Sequence, residues 1–227
     1  MMGFFRQVGV VAAKDLRAEL RTKEAINSSL AFALVILLMF SFAFDPLADT
    51  TREIAGGLLW IVFAFAGTLV LNRSFARELP NDCLDGLIAA PVSRAALFLG
   101  KACASFLLVL GVQLVSLPVF GIFYNVPWTR QFPELFLVLV LGTWGLTVVG
   151  TISSALTVNI RLRELMLPML TYPILFPALL GAMQLTAILV AGNPIGPGDF
   201  GWLKMMVGFD VIYTAVSLAL VETILVS

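Results

Sequence analysis

The side chains best suited to chemistry are few, and most of them lie in one polar segment, residues 72–94. Its charged members are Arg73, Arg77, Glu78, Asp82, Asp85 and Arg94. They do not form the grouped carboxylates or the nucleophile–base pair that a metal-dependent transferase requires. The chain contains no histidine, which removes the usual general base and the usual zinc ligand. We therefore predict no catalytic and no metal-ligating residue.

The same segment has the pattern of a short amphipathic helix. Pro80 suits a first helical turn, and Pro91 ends the pattern. Three apolar residues share one face at helical spacing: Leu84, Leu87 and Ile88. Ser93 is placed to cap the helix that follows. The segment is thus predicted to present an apolar and acidic helix over about 80–90.

Two interpretations of the charges in this segment stay open. Glu78, Asp82 and Asp85 are spaced to face basic groups on a partner, although charge runs are often only a solvated face. Arg77 and Arg94 are equally suited to contact lipid phosphates. The spacing alone decides neither case.

Long stretches without charge surround this segment. The chain is 60% hydrophobic and 12% charged, whereas soluble proteins are about 25% charged. A charge at the bilayer centre costs roughly 2.5–3.5 kcal/mol on insertion scales, and about 20 apolar residues cross the hydrocarbon core. The predicted spans are 26–44, 56–71, 95–123, 135–158, 165–190 and 205–226. The fold class is an all-α integral membrane protein with six transmembrane helices.

The distribution of Lys and Arg orients these spans. Basic residues are concentrated before the first span and in the loops after the second and fourth, whereas the alternate loops hold only Arg52, Arg130 and Lys204. The positive-inside rule then predicts a multi-pass protein with both termini in the cytoplasm.

Residues 4–24 precede the first span and form an amphipathic pattern. Apolar residues recur at spacings of three and four, namely Phe5, Val8, Ala12, Leu16 and Leu20. Such a helix lies in the cytoplasmic interface with its apolar face in lipid. It serves as a plain membrane anchor or contacts a partner. Residues 1–25 are therefore predicted to be an interfacial helix and 26–227 the membrane domain, with its cytoplasmic loop at 72–94.

A few polar groups and prolines inside the spans are candidates for a pathway or gate. They are Gln113, Pro168, Tyr172, Pro173, Pro177 and Asp210. Prolines predict that the fifth span is bent or locally unwound, as a packing irregularity or as a moving helix. Asp210 and Glu222 lie near predicted span ends, so we expect shallow burial, although an intramembrane carboxylate is a functional hypothesis by default.

The chain resembles the permease subunits of bacterial ABC-2-type transporters. The likeness is carried by Arg77-Glu78, Leu84 with Leu87, Pro91-Val92-Ser93-Arg94, and Gly100-Lys101. More narrowly, the chain is similar to the haem exporter protein B (CcmB) family of the cytochrome c maturation machinery. That likeness rests on segments 14–17 (KDLR), 19–24 (ELRTKE), 40–44 (FSFAF), 72–75 (NRSF) and 82–87 (DCLDGL), and length and topology agree.

The resemblance implies a non-catalytic permease subunit of the bacterial inner membrane that pairs with a separate ABC ATPase, which holds the ATP and Mg²⁺. It also implies work beside a haem-handling membrane protein and a periplasmic haem chaperone, with haem as a transported or handled ligand, and a homodimer in the bilayer. No cofactor held by this chain and no nucleic-acid partner is expected. The implied ATPase interface comprises Arg77, Glu78, Asp82, Leu84, Asp85, Leu87, Ile88, Pro91 and Arg94, flanked by Asp15, Arg17, Glu19 and Arg21.

Two other classes of function compete with this reading. A membrane-embedded lipid-modifying enzyme would need reactive groups clustered at one interface, and residues 77–85 are the only candidate. A nucleotide-independent carrier would place ionisable groups near the bilayer midplane, where this chain has few.

Overall fold

The computed structural model describes residues 3–44, 49–76, 92–158, 160 and 162–224. Within these ranges the chain forms seven helices and no strand. The helices are α1 (Phe4–Thr22), α2 (Glu24–Ala43), α3 (Asp49–Leu71), α4 (Arg94–Phe123), α5 (Phe132–Thr157), α6 (Arg163–Val190) and α7 (Phe200–Ile224).

Six of these helices, α2 to α7, are long and apolar enough to cross a membrane. This confirms the predicted spans and the separate helix that precedes them. The main difference is at helix starts, since α3 begins at Asp49 and α7 at Phe200, several residues before the predicted spans. The charges at Arg52, Glu53 and Lys204 limit an apolar stretch but do not stop helical hydrogen bonding, so the helices extend past the apolar residues.

Helix α5 lies at the centre of the bundle and packs against α3, α4, α6 and α7. Glycines allow this close packing. A Cβ atom at Gly142 would lie 2.2 Å from the Trp60 ring of α3, and one at Gly150 would lie 2.3 Å from Leu71. Small residues let membrane helices approach closely, which replaces the hydrophobic driving force that lipid removes.

Helix α1 is not a separate arm, because it packs along the first part of α4. Gly100 permits the approach: a Cβ atom there would lie 2.6 Å from Cβ of Val11 and 3.0 Å from the carbonyl oxygen of Val8. The interfacial helix and the third span therefore form one packed unit.

The helix ends are joined differently at the two ends of the bundle. At one end, Arg73 pairs with Glu24, which connects α3 to the start of α2. At the other, the Tyr124 hydroxyl donates to the Leu37 carbonyl at 3.2 Å, and the Ile195 amide donates to Glu134 at 2.8 Å. The helix ends predicted to be cytoplasmic thus gather at one end of the bundle, and their orientation in the membrane stays a prediction.

Candidate functional site

Helix α1 and the start of α4 hold both flanks of the segment 77–91, which itself lies outside the described residues. On one flank, the Ser74 carbonyl accepts a hydrogen bond of 2.8 Å from Lys101 Nζ. On the other, the Ser93 amide donates to Gln7 Oε1 at 3.2 Å, and the Ser93 hydroxyl lies 3.4 Å from the same oxygen. We call the residues that make these attachments the loop frame: Gln7, Asp15, Ser74, Ser93 and Lys101.

Lys101 is the centre of the loop frame. Only 1% of this residue is exposed, and its ammonium group lies 3.2 Å from Asp15 Oδ2. It also lies 4.8 Å from the centroid of the Phe75 ring, within the range of a cation–π contact. A buried ammonium group is costly unless it is paired and hydrogen-bonded. One side chain of α4 therefore ties α1 to the residues that lead into the segment 77–91.

Ser93 begins α4 as the sequence predicts. Its hydroxyl oxygen accepts a hydrogen bond of 3.2 Å from the Ala96 amide, which satisfies one of the free donors at the helix start. Because Ser93 is also bonded to Gln7, the cap of α4 is attached to α1. The second flank of the segment is thereby fixed to the same helix as the first.

Glu19 caps the next helix from within the chain. It is 0% exposed, and Oε1 accepts hydrogen bonds from the amides of Ala25 at 2.7 Å and Ile26 at 3.0 Å. The chain turns sharply between the two helices at Lys23, which has a φ of 57°. A carboxylate at a helix N-terminus satisfies free amides and faces the positive end of the helix dipole.

The structure places the residues of the predicted ATPase interface in different environments, some exposed and some buried or paired. Arg17 and Arg21 are exposed, as a contact surface requires. Glu19 is buried in the α1–α2 junction, so in the single chain it has no exposed surface for the contact that the resemblance implies. Asp15 is engaged by Lys101 and by Lys14, which lies 2.9 Å away. Arg94 is half-buried and donates to the Glu222 carbonyl at 3.3 Å, at the end of α7.

The remaining interface residues belong to the segment that the structure does not describe. They are Arg77, Glu78, Asp82, Leu84, Asp85, Leu87, Ile88 and Pro91. Their role, and the contact of Arg17 and Arg21 with a partner, stay predictions.

A polar cavity of about 450 Å³ lies beside the loop frame at the same end of the bundle. Its lining includes Glu24, Ser28, Asn72, Arg73, Arg163 and Glu164. The cavity joins the start of α2, the end of α3 and the start of α6, with charges of both signs. In the sequence, Arg73 and Arg163 count among the basic loop residues that orient the spans in the membrane. Nothing in their spacing shows that their helix ends meet.

Inside the spans, polar contacts are isolated. The Thr143 hydroxyl donates to Gln113 Oε1 at 2.7 Å, and both residues are fully buried. Trp60 Nε1 donates to the Thr186 hydroxyl at 2.8 Å and Trp144 Nε1 to the Thr214 hydroxyl at 3.1 Å, both between helices. Thr147 and Thr157 bond to carbonyls of their own helix, α5.

Asp210 lies well inside α7. It is 8% exposed and about 15 Å along the helix from Phe200 at 1.5 Å per residue. The helix starts at Phe200 and not at residue 205, so Asp210 is further from the helix start than from the start of the predicted span, and its shallow position in the bilayer stays a prediction. Neither carboxylate oxygen has a hydrogen-bond partner among the described residues, and Oδ1 lies 2.8 Å from the position of a Cβ atom on Gly145.

The three prolines of α6 do not interrupt it, since the helix is continuous from Arg163 to Val190. This excludes the local unwinding that Pro168, Pro173 and Pro177 made plausible. Pro173 and Pro177 are exposed on the outside of the single chain, whereas Tyr172 is partly buried and its ring lies 5.3 Å from that of Phe65. A pathway or gating role for these residues stays a prediction.

Comparison with known proteins identifies relatives over nearly the whole chain. The sequence model of the CcmB protein family matches residues 6–225. The heme exporter protein B of Rhodobacter capsulatus is 33% identical over 174 residues, covering 76% of this chain and 79% of the relative. That of Paracoccus denitrificans is 34% identical, covering 74% and 76%. That of Pseudomonas aeruginosa is 28% identical, covering 92% and 93%.

Proposed function

The chain belongs to the CcmB protein family, and we propose that it is the permease subunit of an ABC transporter that acts in haem export for cytochrome c maturation. Its relatives carry the name heme exporter protein B, and its six membrane-spanning helices suit a multi-pass bacterial membrane protein. We further propose how an ATPase moves the helices of the chain and which proteins the chain contacts.

The loop frame is the observation that supports a mechanism for transmitting movement from the ATPase to the helices. An ATPase that docks on residues 77–91 would push on a segment whose flanks are attached to α1 and α4. Lys101 would pass that displacement to α4 directly and to α1 through Asp15. Glu19 would then carry it from α1 to the start of α2. Rigid helices joined by such contacts are suited to transmit a movement between sites.

ATP hydrolysis belongs to the partner in this proposal. The chain has no Gly-x-x-x-x-Gly-Lys-Ser/Thr phosphate-binding segment, so ATP and Mg²⁺ would bind to the separate ATPase. The absence of histidine also means that any contact with haem would be hydrophobic or would use Met, Tyr or Cys. A haem-handling membrane protein and a periplasmic haem chaperone would supply the stronger ligands.

Two copies of the chain would form the transport unit. Six spans are few to enclose a path for a solute as large as haem, and a homodimer provides twelve. Exposed positions on α6, including Pro173 and Pro177, are available for contact with lipid or with a second copy. In this arrangement the cytoplasmic end bearing both loop frames would face a pair of ATPase subunits.

The experiment is co-purification of the tagged chain in mild detergent, with every partner identified. Leu84→Asp or Leu87→Asp places a charge on the apolar face of the predicted docking helix, and we expect it to abolish recovery of the ATPase while the six-span protein stays inserted. Leu162→Asp is the matched control, because Leu162 is 63% exposed beside α6 at the same end of the bundle.

Normal recovery of the ATPase with both loop variants would refute the docking assignment. Recovery of the wild-type chain alone, under conditions that preserve known complexes, would favour an autonomous carrier or lipid-modifying enzyme. Recovery of the ATPase but not of haem-handling proteins would retain the ABC permease and remove haem from the proposal.

A further inference from the structure

Helix α1 has three faces. Successive residues are about 100° apart around a helix, so its side chains sort into separate stripes. The face packed on the bundle carries Val11, Asp15 and Glu19, which include both of its acidic residues. A second, apolar face carries Phe5, Leu16 and Leu20, and a third carries Arg6, Lys14, Arg17 and Arg21.

An apolar groove of about 310 Å³ runs from the second face of α1 between α2 and α4. The lining includes Leu16, Leu20, Ile26, Leu30, Gly111 and Val115. Among the residues that the structure describes, no charged or polar side chain lines the groove. Gly111 is exposed, and a Cβ atom there would meet no atom within 4 Å, so the groove is open at that point.

The depth of this groove matches one leaflet of a bilayer. Its α4 residues begin at Leu107 and end at Val115, which are about 9 and 21 Å along the helix axis from Lys101. Half of a hydrocarbon core is about 15 Å thick. The groove therefore starts near the charged end of the bundle and continues into the region that acyl chains occupy.

The third face supplies positive charge beside the groove. Arg17 and Arg21 each follow a groove residue directly in sequence, and both are exposed. The acidic residues of α1 do not oppose them, since Glu19 is buried in the α1–α2 junction and Asp15 is paired with Lys14 and Lys101. An arginine fork binds phosphate oxygens in two places at once, which suits a headgroup.

We propose that each copy of the chain binds one anionic phospholipid, with an acyl chain in the groove and the phosphate held by Arg17 and Arg21. The apolar lining excludes a polar solute, and the basic face distinguishes an anionic lipid from a zwitterionic one. The groove uses the second face of α1 and no residue of the segment 77–91, so the acyl part of the site is separate from ATPase docking on that segment. Arg17 and Arg21 also flank the predicted ATPase interface, and the groove variants therefore leave those two arginines unchanged.

The test is native mass spectrometry of the full-length chain purified with its partners and reconstituted in phosphatidylcholine containing phosphatidylglycerol. We expect one retained phosphatidylglycerol per copy of the wild-type chain. Gly111→Leu places a side chain in the groove, and its Cβ atom meets no atom within 4 Å. We expect it to reduce retention at least tenfold. Gly208→Leu is the control, because Gly208 lies on α7 and is equally free of neighbours.

The phosphate contact is tested separately with Arg17→Gln/Arg21→Gln. This variant keeps the acyl groove, so we expect it to bind phosphatidylglycerol and phosphatidylcholine equally, whereas the wild type prefers phosphatidylglycerol at least tenfold. Inorganic phosphate should not compete, since it lacks the acyl chain. Val115→Phe, which narrows the mouth of the groove, repeats the Gly111 test should that variant fail to fold.

The proposal is overturned if the groove variants retain as much phosphatidylglycerol as Gly208→Leu. Loss of retention in Gly208→Leu as well would show non-specific annular lipid. A change in the number of chains per complex, with lipid retention unaltered, would show that a second copy covers the groove. An unchanged lipid preference in the double arginine variant would overturn the headgroup assignment.

Discussion

The loop frame and the interior of the spans use polar groups in opposite ways. In the loop frame, side chains from α1 and α4 and backbone groups on both sides of residues 77–91 are linked through Lys101, Asp15, Gln7 and Ser93. In the interior, polar side chains form separate pairs, such as Thr143 with Gln113 and Trp60 with Thr186, and the carboxylate of Asp210 has no partner among the described residues. The first arrangement resists relative movement of its helices, whereas the second leaves packing to small residues such as Gly142 and Gly145.

The contacts of the loop frame can transmit a displacement between helices, whereas the contacts inside the spans can yield to one. Linked charges across helices move together, because separating a buried pair is costly. Helices that touch mainly through glycine and aliphatic side chains can slide or rotate at lower cost. We therefore expect variants of the loop frame to have large effects on stability and variants of the interior polar groups to have small ones.

The largest effect is expected for Lys101→Met, which removes the buried ammonium group and takes a donor from the Ser74 carbonyl and from Asp15, which keeps its pair with Lys14. Breaking a buried pair costs about 3–5 kcal/mol. SDS-induced unfolding in mixed micelles measures the free energy of unfolding. Lys204→Met is the control, since Lys204 is exposed on α7. A loss below about 1 kcal/mol would show that Lys101 does not hold the frame together.

Gly100→Ala is expected to have the next largest effect. The new Cβ atom would lie 2.6 Å from Cβ of Val11, so α1 must move away from α4. Overpacking of this kind costs about 1–3 kcal/mol. The matched control is Gly111→Ala on the same helix, which meets no neighbouring atom and gains up to about 1 kcal/mol of helix propensity. Equal stability of the two variants would contradict the close packing of α1 on α4.

A smaller effect is expected for Gln113→Leu, which removes the acceptor of the Thr143 hydroxyl. The hydroxyl can bond to a carbonyl of its own helix instead, and hydrogen bonds between membrane helices are worth about 0.6 kcal/mol on average. The same unfolding titration applies, with exposed Gln184→Leu on α6 as the control. A loss above about 2 kcal/mol would place Gln113 in a larger network than the described contacts contain.

The smallest effect is expected for Asp210→Asn. The amide preserves the shape of the side chain and cannot ionise, so the variant should be at least as stable as the wild type at neutral pH. Exposed Glu222→Gln on α7 provides the comparison. Destabilisation by more than about 2 kcal/mol would mean that the Asp210 carboxylate has a partner, for example on a second copy, since a charged contact would then be lost.

Hydropathy and charge were enough to predict the number of spans, the preceding amphipathic helix and the cap at Ser93. These features depend on local sequence and on the solvent that each residue faces. Residue pairing was not predictable in the same way. Lys101 entered the sequence argument through the Gly100-Lys101 pair and the basic loop after the second span, although a lysine that deep in an apolar helix is itself a signal for a partner. Nothing in the spacing identifies that partner as Asp15, 86 residues away.

Two differences between sequence and structure have a common physical origin in helix ends. Glu19 was placed with the contact residues by the resemblance, and nothing in the spacing shows that the backbone turns at Lys23 and brings the start of α2 onto it. Asp210 was expected near a span end, because the apolar stretch begins after Lys204 while the helix begins at Phe200. An apolar stretch indicates which residues face lipid, whereas backbone hydrogen bonding determines the residue at which a helix begins.

The most direct test of the loop frame as a transmission element is a distance measurement by pulsed electron resonance in the purified complex. Spin labels replace Ala18 on α1 and Ile160 beside α6, both exposed, after Cys83 and Cys103 are changed to Ser. We predict that the distance between the labels changes on addition of ATP and Mg²⁺ when the ATPase is bound, and stays fixed in the chain without it. An unchanged distance in the intact, ATP-hydrolysing complex would contradict the account.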